Sequence, residues 1–189
     1  MENDLKKMCE KCNGSGKIQS RYIGLLEPTV KGVDCAGGSM GIAFSMAVGI
    51  ARARKALGKE GTIYVIMSDG EMHCGNVWES AMKAANEGLD NLAVLIDANG
   101  FCAMGKIEEV QDVEPLMEKW EAFNWRVLEI DGHSYEEIEE ALGEETSVPK
   151  VIICRTIKGK GVSFMENNNE WHYRAVDKES YALAKKELG

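Results

Sequence analysis

The sequence is short of positive charge: 22 Lys and Arg stand against 31 Asp and Glu, a formal net charge of -9. A nucleic-acid-binding surface needs a basic patch to displace counterions, so that class is set aside. No apolar run approaches the roughly 20 residues that a membrane-spanning helix needs. No charged, apolar and small-residue signal pattern opens the chain, and a cytoplasmic protein is expected. There is no internal repeat and no low-complexity tract. A second C-x-x-C is also missing. The six cysteines are Cys9, Cys12, Cys35, Cys74, Cys102 and Cys154, and reduced, buried thiols are expected of them rather than a disulfide framework. "CEKCNGSG" supplies half of a zinc knuckle, whereas a structural zinc site wants four ligands. A G-x-G-x-x-G after a strand is absent too, which leaves a nucleotide-binding reading of "GGSMG" with little support.

What is present is an alternation. The 189 residues suit one domain, 1–189, with a sizeable core. Residues 1–12 are charged and compatible with a helix, and "NGSG" breaks them. From Ile42, "IAFSMAVGIARARKALGK" reads as a helix stopped at Gly58. "TIYVIM" is a strand, "NVWESAMKAANEG" a helix and "LAVLID" a strand. "VEPLMEKWEAFN" is a helix, "WRVLEI" a strand, "SYEEIEEALG" a helix and "KVIICR" a strand. "TIKGKGVSFMENNNEWHY" is a glycine-rich loop, and "DKESYALAKKELG" closes as a helix. Continuous apolar strands alternating with helices predict an α/β fold with a small, mostly parallel sheet covered on both faces. In such sheets ligands bind at the carboxyl ends of the strands. That rule selects the loops at Asp69, at Asn99 and at "TIKGKG".

Asp69 and Asn99 offer a carboxylate and an amide oxygen, hard ligands suited to Mg²⁺ or Ca²⁺. The carbonyl of Phe101 is a third candidate, and the adjacent glycines let a backbone approach a phosphate. Both residues are equally common as turn formers and helix caps. "GVDCAGGSMG" opens a helix, whose free N–H groups favour an anion. His172, in a polar loop beside an aromatic residue, reads either as a phosphate-binding donor or as a solvated side chain. His133 reads as structural, with Asp131 or Ser134 capping the helix after it. Trp78, Met82, Met117 and Trp120 fall at helical spacing and read as core or interface.

Taken together, these residues resemble one family. Ser68-Asp69-Gly70, a spacer over residues 71–98 and then Asn99 resemble the thiamine diphosphate motif. "SDGEMHCGNVWESAMKAANEGLDNLAVLIDANG", "GVDCAGGSMG" and "VIICRTIKGKGVSFMENNNEWH" are similar to the transketolase version, nearly without interruption from Gly32 to His172. The resemblance implies a three-layer thiamine diphosphate-binding fold of the PP type, the N-terminal half of a transketolase as found in split, two-subunit versions. It implies Mg²⁺ on the Asp69 and Asn99 side chains and the Phe101 carbonyl. It places Gly38, Met40, Ser68, Gly70, Glu71, Lys158 and His172 along the cofactor. His172 would also hydrogen-bond the diphosphate in the catalytic centre, and Glu79 would join a proton-sharing network at the subunit contact. A separate pyrimidine-domain subunit is implied as partner, in a dimer of heterodimers. The pair would transfer a two-carbon ketol unit from a ketose to an aldose, the substrate being a sugar or sugar phosphate.

The chain also departs from that family. In "GSGKIQS" Lys17 occupies a position where the family has a histidine, and "LLEP" stands where it has His-Pro-Glu. Several dozen residues usual between these segments are absent. Cys74 replaces a glutamate and Ser68 a glycine. Ala43 stands where a glycine is usual, and Met104 where aspartate is frequent. Only His73, His133 and His172 exist. General acid–base groups are worth about 10²–10⁴-fold, so a pairing module without transfer activity is the alternative expectation.

Overall fold

Four apolar runs become one sheet, its two central strands buried almost throughout. β1 (Ile63–Ser68), β2 (Leu92–Ala98), β5 (Arg126–Asp131) and β6 (Lys150–Arg155) lie in the order β1-β2-β6-β5, all parallel. A two-stranded antiparallel pair, β3 (Phe101–Cys102) and β4 (Gly105–Lys106), follows β2. The chain divides into two compact units, Met1–Gly38 and Ser39–Gly189. This computed structural model describes residues 34, 35 and 37–189. The expected helix over residues 1–12, the Cys9–Cys12 pair, Lys17 and "LLEP" lie outside the described residues.

Register decides which side chains share a face. Val65, Val94, Val151 and Val127 align across the sheet, and Met67, Ile96 and Ile153 align one step further. This face packs on α1 (Ile42–Ala56), α2 (Gly75–Asn86) and α4 (Leu116–Ala122). Aromatic residues fill the layer: Phe44, Trp120 and Trp125 are buried, and Trp78 packs against them. The opposite face, with Ile152, Cys154, Leu95, Leu128 and Ile130, meets α5 (Tyr135–Gly143) through Ala141 and Leu142. Among the described residues that second layer covers only the β5–β6 half. Ile66 of β1 is 78% exposed, a correction to the expectation of full cover on both faces. α5 joins β5 to β6, so its place over that half follows from its connections.

The helices start and stop where local chemistry predicts. α1 carries Arg54 and Lys55 in its last turn, cations that suit a helix C-terminus, and Gly58 turns out of it at φ 61°. Ser134 caps α5 by accepting from the Glu137 amide, and Asp177 caps the last helix, α6 (Lys178–Leu188), through Ser180. The helix expected over 113–124 is shorter. It begins after Pro115, where Glu114 Oε2 accepts from the Leu116 amide at 2.7 Å. The β3–β4 pair and the single turn α3 (Ile107–Val110) go beyond the elements that the sequence pattern predicts. Of the free thiols, Cys102 and Cys154 are buried as expected, whereas Cys35 is exposed and Cys74 half-buried.

Lys150 is the one buried ammonium of the described residues, 5% exposed. Its Nζ donates to the carbonyls of Ala141, Leu142 and Glu144 at 2.7, 3.1 and 2.8 Å, satisfying the C-terminus of α5. Burial holds its pKa below the usual lysine range. Lys150→Met keeps the stem and strands those acceptors. A loss of about 2 kcal/mol is expected, read as a lower urea midpoint at unchanged slope.

Candidate functional site

Parallel pairing of β1 with β2 sets Ser68 beside Asp97, so the two chains leave the sheet together. At the end of β1 the chain enters a tight helical turn, Asp69–His73. Asp69 is 3% exposed. Its Oδ1 accepts from the Gly70 amide at 2.8 Å, and its Oδ2 from the Gly100 amide at 2.6 Å. Burial raises the carboxyl pKa against the lowering effect of these amides, and the charge of Asp97 raises it further. Among the described residues no cationic side chain pairs with it. Buried charges are ordinarily paired or bound to metal.

Asn99 is oriented by its neighbours. Its Nδ2 donates to Asp97 Oδ2 at 3.2 Å, and its Oδ1 accepts from the Phe101 amide at 3.0 Å. Asp97 also accepts from the Thr156 hydroxyl. Asp69, Asn99 and Phe101 line one cleft of about 520 Å³, together with Glu114, Arg155 and Asn167. An unpaired buried carboxylate, an amide oxygen and a nearby backbone carbonyl form a hard donor set, which fits Mg²⁺ or Ca²⁺. Arg155 bridges Glu114 at 2.6 Å and Glu129 at 2.8 Å on the rim. Sequence reasoning missed Arg155, and also Asp97 as the residue that orients Asn99. The only signal for Asp97 is its place at a strand end two residues before Asn99.

Other expected site residues do not line this cleft. Ser68 has φ −94° in extended backbone, so a β-carbon is accommodated where the family has glycine. With Glu71 it forms a capping box. Gly70 is close-packed: a β-carbon there would lie 3.3 Å from the Cys102 Cβ. Glu71 commits both oxygens to backbone amides, those of Gly41 and Ser68. Met40 is 51% exposed, and Gly38, also exposed, falls in the first unit. Glu79 is exposed on α2 and lines a second groove with Ser45, Gly49 and Arg52.

The loop after β6 is held at both ends. The His133 ring accepts from the Ile157 amide at 2.8 Å, and the Asn167 amide donates to the Lys158 carbonyl at 2.9 Å. Gly159 has φ 74°, and a β-carbon there would sit 2.6 Å from the Met165 backbone. His172 ends a short turn, Asn169–His172. Burial first and the charge of Lys158 second hold its pKa below the usual histidine value.

Backbone freedom at Gly41 is a requirement of this region. Its φ is 78°, and a β-carbon would fall 2.7 Å from the Asn76 amide. Gly41→Ala is expected to destabilise by about 1–2 kcal/mol. Gly49, inside α1 with nothing within 4 Å of an added β-carbon, provides the opposite sign: Gly49→Ala gains about 0.5–1 kcal/mol. Urea unfolding of both variants measures the contrast.

Comparison with known proteins agrees with this geometry. The family described as transketolase, thiamine diphosphate binding domain, matches residues 15–189. The 6-deoxy-6-sulfo-D-fructose transketolase subunit SqwG of Clostridium sp. (strain MSTE9) is 40% identical over 160 residues, which cover 83% of this chain and 58% of that protein. An apulose-4-phosphate transketolase subunit of Phocaeicola vulgatus is 36% identical over 166 residues, covering 85% and 59%. The chain thus spans just under three fifths of the length of these curated relatives. The crystal structure of transketolase from Campylobacter jejuni superposes with a TM-score of 0.83 at 29% identity, covering 92% of this chain and 29% of that one. With a matched sequence profile, a parallel sheet of the same fold and a hard-oxygen cleft at its strand ends, the chain belongs to the transketolase family, as a thiamine diphosphate-binding domain of its N-terminal type.

Proposed function

We propose that this chain is the diphosphate-binding subunit of a two-subunit transketolase. With a pyrimidine-domain partner, in a dimer of heterodimers, it transfers a two-carbon ketol unit from a ketose to an aldose. The observation that carries this reading is the convergence of Asp69, Asn99 and Phe101 on one cleft. The names of the relatives, two of them transketolase subunits named for sugars with a sulfo or phosphate group, support a sugar or sugar-phosphate substrate.

Residues 1–189 act as one binding domain in this reading. Asp69 and Asn99 hold Mg²⁺ with their side chains and Phe101 with its carbonyl. Ser68, Gly70 and Met40 bound the space for the cofactor. Lys158 supplies a fixed positive charge toward the diphosphate, and His172 a hydrogen-bond donor. Glu79, exposed on α2, faces the subunit contact. Thiamine diphosphate, when bound, supplies the carbanion chemistry that breaks and makes bonds beside a sugar carbonyl.

A second reading rests on the histidines. His73 Nε2 donates to the Gln111 carbonyl at 2.7 Å, and His133 is taken by Ile157. Of the three histidines in the sequence only His172 is left for the site. A chain that binds and pairs but performs no ketol transfer would look the same.

Titration calorimetry of the chain with its partner decides the main reading. A saturable, Mg²⁺-dependent heat with thiamine diphosphate is expected, and Asp69→Asn should weaken it by more than about 100-fold, beyond the usual cost of losing a group that only supports a metal ligand. No heat from the complete pair would sink the proposal. Ketol transfer by that pair, from any ketose donor, would eliminate the second reading.

A further inference from the structure

We infer that Glu71 is a positioning residue that locks the turn opening α1 onto the metal-bearing end of β1. The inference rests on the cofactor reading above for its consequence, though not for its geometry. One carboxylate oxygen accepts from the Ser68 amide at 3.1 Å, the other from the Gly41 amide at 2.7 Å. Ser68 immediately precedes Asp69. Gly41 is the N-cap of α1, in left-handed backbone at φ 78°. A single half-buried side chain therefore joins the end of β1 to the start of α1.

The Gly41 amide precedes the first turn of α1, so no carbonyl of that helix is available to it. Glu71 supplies the missing acceptor. Among the described residues the Glu71 carboxylate has no ion-pair partner, so its two hydrogen bonds define its role. A negative charge close to a diphosphate site opposes the anion by Coulomb repulsion. A carboxylate there is explained by its two acceptor oxygens, one presented to each of two separate amides. Glutamine has one acceptor and one donor end, so its NH₂ must face either the Gly41 or the Ser68 amide. Aspartate keeps both acceptors on an arm one methylene shorter and cannot span the two.

Glu71→Gln is therefore the informative change, because it removes charge and geometry with opposite consequences. A charge effect alone makes diphosphate binding tighter; loss of the brace makes it weaker. Hydrogen exchange of the full chain reads the brace without any cofactor. Peptides covering residues 39–44 should exchange on the order of tenfold faster in Glu71→Gln, with Glu139→Gln, an exposed change on α5, matching the unmodified chain. Glu71→Asp should behave like Glu71→Gln and stands in for it should that variant fail to fold. With Mg²⁺ and the partner subunit, thiamine diphosphate affinity should fall about 10–100-fold. Unchanged exchange at 39–44, or tighter cofactor binding by Glu71→Gln, overturns the inference. A chain that binds no cofactor even without substitution refutes the proposed function, while the exchange rates still decide the brace.

Discussion

The hydrogen bond from the Gly100 amide to the buried Asp69 carboxylate, 2.6 Å long, is the contact on which the site depends. It joins the ends of two adjacent parallel strands whose backbones would otherwise diverge into separate loops. Gly100 follows Asn99, so the same bond holds Asn99 on the cleft that Asp69 lines. Its cost is a carboxylate removed from water. Two backbone amides do not fully offset that removal, which is why the Asp69 pKa lies above the ordinary carboxyl range. In the proposed enzyme a divalent cation offsets the remainder. The fold thus carries an electrostatic deficit where that ligand would bring positive charge, a preorganised arrangement that needs little rearrangement on binding.

The same construction recurs around the cleft. Asp69 ties Gly70 to Gly100, Glu71 ties Gly41 to Ser68, Asp97 ties Asn99 to Thr156, and His133 holds Ile157. Each is a side chain from one strand exit fastened to another segment, mostly through backbone groups. Apolar packing reaches the strand exits through Met72, Cys102, Ile107 and Val113, but does not by itself orient their polar side chains. Polar ties do so, and they suit a site that must stay open to an anion. The glycines follow from this. At Gly41 and Gly159 a β-carbon would collide within 2.7 Å, because the tied segments approach too closely for a side chain.

The four strands and the major helices of the described region were legible because the strands are short apolar runs between helical patterns, while glycines and acidic caps mark helix ends. Asp69 and Asn99 stood out because an oxygen-bearing side chain beside a glycine at a strand end is informative in a parallel sheet. What escaped has a physical reason in each case. The β3–β4 pair has strands of two residues, too short for any period. The role of Lys150 was not legible within the strand "KVIICR", since its partners lie on a helix end brought near only by the β5–α5–β6 connection. Glu71 read as a residue along the cofactor, because its partner Gly41 is 30 positions away and only folding shows that both oxygens are committed. Ile66 read as buried, although among the described residues the second layer does not reach β1.

Binding the cofactor and choosing the sugar are separable in this arrangement. The groups proposed to meet the Mg²⁺-diphosphate end belong to strand exits that register forces together, so they persist while the sheet persists. Groups that recognise a sugar have no such constraint. The histidines illustrate the difference. His73 and His133 are consumed in holding backbone, and His172 stays below the usual histidine pKa beside Lys158. An imidazole biased toward its neutral form can donate one hydrogen bond to a diphosphate oxygen. Within the proposed two-subunit enzyme, further groups for proton transfer at the sugar would come from residues other than His73 and His133. In the proposed enzyme, substitutions that alter sugar preference need not disturb the Asp69–Gly100 contact that holds the site together.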